Sequence, residues 1–266
     1  MRSNLAFRTV FLSALVVLVV FVVMFLGAAF VYSGPEHLLQ QLSTESARDS
    51  IVLSMVTSAA ATLLALIFGV PAAYALTRWR IPGRAVIDML LDLPIVLPPL
   101  VAGFSLLLLY AVLERALTGS IAGSPFDLRF TRTGIVLAQF TIAAPLAVRV
   151  LRAAFSEVPV RLETMSRSLG QGEARTFLRI SLPMSRNGLL AGTILVWARS
   201  IAEFGPILVF CGAVRGKTDV LPIAIFLAFS NGELENGVAL SALLILLGGL
   251  AIAAIRRWSG GEVRLA

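Results

Sequence analysis

Two side-chain types on which much protein chemistry depends are almost missing from this chain of 266 residues. It has one cysteine, Cys211, and one histidine, His37. A lone cysteine excludes an intramolecular disulfide and a cysteine metal cluster. A lone histidine excludes a histidine-rich metal site, and it leaves the serines and threonines without a base for nucleophilic catalysis. The sequence therefore predicts no metal centre, no bound cofactor and no hydrolytic active site.

Charge is also scarce, at 14% of residues, whereas 58% are apolar and the mean hydropathy is +0.91. The apolar residues form blocks of about 20, the length that a helix needs to cross ~30 Å of hydrocarbon. The first block exceeds the short core of a signal peptide, so it is expected to be an uncleaved helix. These features predict an all-α, polytopic membrane protein with six transmembrane helices and no separate soluble domain. The blocks are 10–32, 50–76, 88–110, 133–151, 188–210 and 236–255.

The net charge of +7 is unevenly distributed between the blocks. With the N-terminus in the cytoplasm, cytoplasmic segments hold fifteen arginines and the opposite segments hold six basic residues. This excess is the positive-inside pattern. It predicts a cytoplasmic (inner) membrane protein surrounded by lipid, with both termini and the long polar segment 156–187 in the cytoplasm. No basic face interleaved with aromatic residues is visible, so nucleic acid is not expected as a partner.

Three prolines interrupt the third block, at Pro94, Pro98 and Pro99. Proline removes a backbone donor and breaks a regular helix. Irregular backbone at membrane depth is tolerated only where protein or a water-filled cavity surrounds it. The prolines therefore predict a broken helix beside a translocation path.

Arg199 and Glu203 stand one helical turn apart in the fifth block. Ionisable residues at membrane depth are costly and face a cavity or one another. One interpretation places them on the path, as a gate or a guide for anions. The other is an i,i+4 ion pair that locks helix packing. The sequence favours neither.

Four further charged residues have simpler interpretations. Asp88 and Asp92 stand where the dipole at a helix start favours acidic residues. Arg149 and Arg152 are expected to be anchors that extend to the lipid headgroups, with anion attraction as the alternative. None of the four is predicted to be catalytic.

Gly216-Lys217-Thr218 is similar to the end of a nucleotide-binding loop. The motif needs four residues between its first glycine and the Gly-Lys pair, and only three follow Gly212. The motif is therefore incomplete, and the chain itself is not predicted to bind a nucleotide here.

The polar segment 156–187 has the pattern of two short helices. The first should end near Leu169, because Gly170 and Gly172 favour a helix end. The second should begin at Glu173 and be closed by Pro183. Ala174, Phe177, Leu178 and Ser181 recur at helical spacing and predict one apolar stripe.

The spacing of Gly170, Ile180, Leu182 and Pro183 resembles the EAA loop of ABC-importer permeases, which docks on the cytoplasmic ATPase. The opening Glu-Ala-Ala triplet departs from that pattern, since Thr164-Met165-Ser166 stands there and Glu163 comes one residue early. The resemblance implies that this segment contacts an ATPase subunit. The expected docking residues are Glu163, Thr164, Met165, Ser166, Gly170, Phe177, Ile180, Leu182 and Pro183.

Three more stretches narrow the resemblance. Residues 93–103 look like a motif of molybdate, tungstate and sulfate permeases, and 197–205 are similar to their Ala-Arg-x-x-x-Glu-Phe-Gly segment. The segment 218–236 resembles the molybdate/tungstate branch more than the sulfate branch. The resemblance implies the transmembrane domain of a type I ABC importer, at 49–256, preceded by an added helix and connection (1–48) and followed by a tail (257–266).

That resemblance also implies a mechanism and partners. The chain would be a permease subunit, not an enzyme, that moves molybdate or tungstate by alternating access. It would form a homodimer, bound by ATPase subunits in the cytoplasm and by a substrate-binding protein outside. A sulfate or thiosulfate permease is the alternative within the class. A transporter of another class and an intramembrane enzyme are alternatives outside it.

Overall fold

The structure is a computed structural model that describes residues 2–118 and 127–258. All regular secondary structure in these ranges is helical. The helices are α1 (Arg2–Ser43), α2 (Glu45–Arg78), α3 (Arg84–Val96), α4 (Pro99–Thr118), α5 (Arg132–Ser156), α6 (Val160–Ser168), α7 (Glu173–Thr176), a π-helical turn (Phe177–Ser181), α8 (Leu182–Met184), α9 (Arg186–Ile201), α10 (Gly205–Cys211), α11 (Leu221–Ser230) and α12 (Leu234–Trp258). Most of the predicted tail 257–266 lies outside the described residues.

Five helices are long and apolar enough to cross a membrane. A sixth crossing results if α9 and α10, which meet at an angle of 52°, are counted as one bent span. The all-α prediction with six crossing segments is therefore confirmed, and one crossing is a broken helix. The five continuous spans are Phe7–Ser43, Glu45–Arg78, Pro99–Leu117, Arg132–Ser156 and Leu234–Arg257.

The third crossing differs from its predicted range, 88–110. The break lies at Leu97 and Pro98, and the crossing helix α4 begins at Pro99. Proline suits a first helical position, because its missing donor would have no partner there. Pro94 remains inside α3. The block is thus divided into a short helix and a full span. The predicted break is present, but the membrane-crossing helix starts later than residue 88.

Helices α2 and α5 form the centre of the bundle. Along α2, Ala61, Ala65, Gly69 and Ala73 recur every four residues and are buried. A Cβ atom at Gly69 would lie 3.0 Å from the Cβ of Ala147 on α5. Small residues at this spacing let two helices approach closely inside a membrane. The two helices therefore form a tightly packed pair against which other elements lie.

Helix α11, a short apolar helix between the last two crossings, packs into the bundle. Its Leu221 and Ile223 are fully buried, in clusters shared with α2, α10 and α12. The backbone N–H of Leu221 donates to Ser54 Oγ on α2 at 2.7 Å. Cys211 is buried in the same region and carries no disulfide.

The second helix of the polar segment was predicted to end at Pro183, but the helical path continues past it. After α7 the chain makes one π-helical turn, and the N–H of Leu182 donates to the carbonyl of Phe177, five residues back. Helix α8 then carries Pro183 near its start, where a proline needs no donor. The helical path therefore continues through α9 into the membrane-crossing part of the chain.

Candidate functional site

Helix α6 of the polar segment has an outer and an inner face. Thr164 and Met165 are exposed, and Leu169, at the helix end, is 83% exposed. Glu163 and Ser166 are buried, at 2% and 6%. The hydroxyls of Ser166 and Thr176 lie 3.0 Å apart, which ties α6 to α7. Thr164, Met165 and Leu169 are named the outer patch below.

The turn between α6 and α7 is at Gly170, whose φ of +82° lies in the left-handed region. Open space surrounds this glycine, so its conformation rather than crowding requires glycine there. The predicted end of the first helix is confirmed. Gly170 is exposed at the tip of the segment, beside Leu169.

The π-helical turn presents its aromatic side chain to the bundle. Phe177 is partly buried, with its ring centroid 4.7 Å from that of Tyr74 on α2 and 6.0 Å from that of Phe155 on α5. Ile180 and Leu182 are also partly buried, whereas Pro183 and Leu178 are exposed. The predicted apolar stripe is therefore split, since Phe177 and Ser181 face the bundle while Leu178 faces outward.

Glu163 makes an internal ion pair and is not exposed toward a partner. Its two carboxylate oxygens lie 2.9 and 2.8 Å from Arg78 Nε at the end of α2. Ser181 Oγ donates to the same carboxylate at 2.8 Å. Glu163 is therefore held by contacts within the chain. Spacing could not reveal its pairing with Arg78, because the two charged residues are 85 positions apart.

The two interrupted crossings meet at their breaks. A Cβ atom at Gly205, the first residue of α10, would lie 2.6 Å from the Cβ of Pro99. One at Gly103 on α4 would lie 2.9 Å from the Cα of Pro206. Only glycine permits backbones to approach this closely. Pro99, Gly103, Gly205 and Pro206, where the two broken spans contact each other, are named the break crossing. Pro98 adjoins it, and Pro94 lies in α3, before the break.

Arg199 and Glu203 form an ion pair beside this crossing, as one of the two interpretations proposed. Glu203 lies in the non-helical link between α9 and α10 and is 1% exposed, while the Arg199 side chain is 39% exposed. Buried Gln139 on α5 donates to the carbonyl of Ser200 at 3.1 Å, near the end of α9. Within the described ranges, one oxygen each of Glu203 and Gln139 is buried with no hydrogen-bond partner. The pair is thus confirmed, and its place on a path remains a prediction.

Arg149 and Arg152 were expected to be lipid anchors, and they pair with the acidic residues of α3. Arg152 Nη1 lies 2.6 Å from Asp88, and Arg149 Nη1 lies 3.6 Å from Asp92. A cavity of about 320 Å³ lies between α3 and α5 at these residues. The paired residues are 64 and 57 positions apart in sequence, so spacing alone could not reveal the pairs.

Charged residues also cluster at the other end of the bundle. Arg129 pairs with Asp127 at 2.9 Å and with Glu114 at 3.3 Å. The hydrogen bond from Arg129 holds the pKa of the Asp127 carboxyl below its usual range. Arg215 pairs with Glu233 at 3.1 Å, next to a cavity of about 190 Å³. This end therefore presents several ion pairs on the connections between helices.

The family model for the binding-protein-dependent transport system inner membrane component matches residues 65–264, three quarters of the sequence. The chain belongs to this family. Membership makes it a multi-pass inner-membrane component of a transporter and not an enzyme. The match begins within α2, so α1 precedes the family region.

Relatives are found among permeases for oxyanions. The molybdenum transport system permease ModB of Escherichia coli K12 is 37% identical over 74% of this chain and 86% of its own. The molybdate/tungstate permease WtpB of Thermococcus kodakarensis is 34% identical over 86% and 85%. The sulfate permease CysW of a Synechocystis species is 31% identical over 81% and 78%.

A solved structure shares the fold. The bacterial alginate ABC transporter in complex with an alginate pentasaccharide-bound periplasmic protein matches 97% of this chain and 96% of its own, with a TM-score of 0.68 and 15% identity. The predicted fold, a type I ABC-importer transmembrane domain, is confirmed.

Proposed function

We propose that this protein is the permease subunit of an ATP-driven importer that carries molybdate or tungstate across the cytoplasmic membrane. Two of the relatives described above have names that include molybdenum, molybdate or tungstate, and they align with most of the chain. The motifs at 93–103, 197–205 and 218–236 point the same way. The relative named for sulfate supports sulfate as the second candidate. The single observation that carries the transport class is the family match over 65–264.

The outer patch and Gly170 are the proposed contact with a cytoplasmic ATPase subunit. Exposed Met165 and Leu169 offer apolar surface on a helix, which suits a groove in a partner protein. Pro183 and Leu178 are exposed further along the segment. Glu163, Ser166, Phe177, Ile180 and Leu182 then support this surface from within and do not touch the ATPase. The positive-inside pattern supports an orientation with both termini and this segment in the cytoplasm, which is the side that docking requires.

The other partners follow from the same scheme. The ion-paired connections at the opposite end of the bundle, around Arg129 and Arg215, are the proposed contact with a substrate-binding protein. The apolar side chains of α1 from Phe7 to Leu26 are exposed, which suits contact with lipid. Two copies of the chain would form the importer, with the exposed face of α4, including Phe104 and Leu108, available for lipid or the second copy.

The break crossing is the proposed place where the path opens and closes. Irregular backbone at membrane depth is tolerated where it lines a cavity or is covered by protein. Arg199 at this position supplies a positive charge for an oxyanion, and Glu203 offsets it so that the anion is not held too tightly. Pro94, Pro98 and Pro99 make the neighbouring crossing irregular at the same level. In alternating access the two crossings would move against each other at this point.

Reconstituted vesicles with the ATPase and binding protein test the proposal directly. We expect ATP-dependent uptake of labelled molybdate, reduced by an excess of tungstate and unaffected by an equal excess of sulfate. Vesicles without ATP and vesicles without the binding protein serve as controls. Stronger competition by sulfate would assign the protein to the second candidate. Uptake that needs no ATPase subunit would rule out an ATP-driven importer.

Arg199 and Glu203 give a test of the path itself. We expect the double variant Arg199→Met/Glu203→Met to assemble normally, because neither charge is left buried alone, yet to lose uptake by about tenfold or more. Removal of the positive charge is the physical reason, since the anion then crosses without a counter-charge. Uptake by the vesicle assay and assembly by size-exclusion chromatography are measured side by side.

The single variant Arg199→Lys is the matched control, because it keeps the positive charge. It should retain more uptake than the double variant. If the double variant transports as well as the unmodified protein, the pair serves helix packing alone.

A further inference from the structure

We propose that Arg78 is a positioning residue that transmits movement from the ATPase-docking segment to the two central helices. This inference rests on the proposed function and adds a role that neither the sequence pattern nor the family match assigns. Arg78, Glu163 and Ser181, together with the carbonyls of Phe155 and Val158, are named the elbow clamp.

Arg78 binds three parts of the chain at once. Its Nε contacts both carboxylate oxygens of Glu163 on α6, at 2.9 and 2.8 Å. Its Nη2 donates to the carbonyls of Phe155 and Val158, at 2.9 and 2.8 Å. These carbonyls stand at and just beyond the end of α5, where backbone acceptors lack helical partners and a cation is favoured. One guanidinium therefore joins α2, α5 and α6.

Glu163 extends the clamp to a fourth element. Its carboxylate also accepts a hydrogen bond from Ser181 Oγ, on the π-helical turn, at 2.8 Å. The side chains of Arg78 and Glu163 are only 9% and 3% exposed. Charged hydrogen bonds with fixed geometry in a buried place hold their partners firmly, unlike ion pairs in solvent. The clamp is therefore a stiff connection.

Aromatic packing reinforces the same connection. Tyr74 stands one helical turn before Arg78 on α2, and its ring packs edge-on against Phe155 and Phe177. Helix α2 thus holds the π-helical turn at two points. Tyr74 packs against Phe177, and Arg78 binds Glu163, which accepts from Ser181. This turn interrupts the α-helical hydrogen bonding between α7 and α8, so it is the place where the segment could otherwise deform.

The position of the clamp decides its role. Glu163 directly precedes Thr164 and Met165 of the outer patch and points to the opposite side of α6. On the other side of the clamp, α2 and α5 are packed through Gly69 and Ala147, so they move together. A displacement of the outer patch by the ATPase therefore reaches the central helices through Arg78. Without it, the ATPase would still dock, and its movement would be lost in the segment.

The experiment measures molecules taken up per ATP hydrolysed in the reconstituted complex. We expect Arg78→Gln to retain ATPase binding and hydrolysis while this ratio falls about tenfold, within the usual range of coupling between sites. Arg78→Lys should give an intermediate ratio, because a point charge reaches the carboxylate but cannot also hold two carbonyls. Arg80→Gln removes the same charge from an exposed residue two positions on and should leave the ratio unchanged.

A milder variant protects the test against misfolding. Ser181→Ala keeps the ion pair and releases only the π-helical turn, so the ratio should fall by less than for Arg78→Gln. Ser185→Ala is its control, because the Ser185 hydroxyl is also buried but bonds only to backbone carbonyls one helical turn back, at Ser181 and Leu182. Hydrogen exchange of the amides in 160–181 should increase in Arg78→Gln and in Ser181→Ala.

Two results would overturn the inference. One is an unchanged ratio in Arg78→Gln. The other is a parallel loss of assembly, hydrolysis and uptake in Arg78→Lys and Ser181→Ala, which would mean that the clamp only supports folding. Failure of the unmodified complex to couple uptake to ATP would instead reject the proposed function, so the two failures are distinguishable.

Discussion

A permease carrying Met165→Asp and Leu169→Asp is expected to insert and fold but to lose its ATPase subunit and all ATP-driven uptake. Both side chains are exposed, at 51% and 83%, so the substitutions disturb no internal packing. Burying two such side chains against a partner contributes about 3 kcal/mol or more, which is over a hundredfold in Kd. Two carboxylates placed in the contact add a desolvation cost. Co-purification with the ATPase and vesicle uptake measure the effect.

Leu234→Asp provides the control for this variant. Leu234 is 55% exposed at the start of α12, at the opposite end of the bundle. The substitution is the same as Leu169→Asp in the double variant, and we expect the ATPase to remain bound. If the double variant still co-purifies with the ATPase and transports at full rate, the outer patch is not the docking surface.

The second large effect is expected from Gly205→Ala, which adds one methyl group to the break crossing. That methyl carbon would lie 2.6 Å from the Cβ of Pro99 and 2.7 Å from its carbonyl carbon. The backbone of α4 cannot rotate away as a flexible side chain does, so α4 and α10 must move apart. Overpacking of this kind costs about 1–3 kcal/mol. We expect a lower thermal midpoint in detergent. We also expect uptake to fall by about tenfold or more, because raising the barrier to the transport movement by about 1.4 kcal/mol slows it tenfold.

Gly248→Ala is the matched control, because open space surrounds Gly248 on α12. It should leave the midpoint and the uptake unchanged. Normal uptake in Gly205→Ala would show that the two broken helices tolerate separation and would remove the break crossing from the proposed path.

Several features were accessible from the sequence because they depend on local chemistry. The apolar blocks gave the helical class and the six crossings. Gly170 predicted the end of α6, and Pro98 and Pro99 predicted a break. An ion pair between Arg199 and Glu203 was one of two open interpretations, because four positions on a helix place two side chains on one face.

Other features were missed. The helix expected to stop at Pro183 continues through a π-helical turn, and Pro183 then stands near the start of α8. Asp88 and Asp92 were assigned to a helix dipole, and they pair with Arg152 and Arg149 on α5. Phe177 packs against Tyr74 on α2 and Phe155 on α5. For the ion pairs and the aromatic packing, the deciding partner lies outside the window in which spacing is informative.

By itself, the sequence determined which parts of this protein are helical, where prolines interrupt the third apolar block and which segment is polar enough to meet a partner. These properties follow from the apolar length, the missing donor of proline and the conformational freedom of glycine, all of which act within a few residues. Only the tertiary structure decided which face of that segment turns outward and which charged residues form ion pairs within the chain. Glu163 illustrates the reason: its surroundings are set by Arg78 and Ser181, which come close only when three helices pack together.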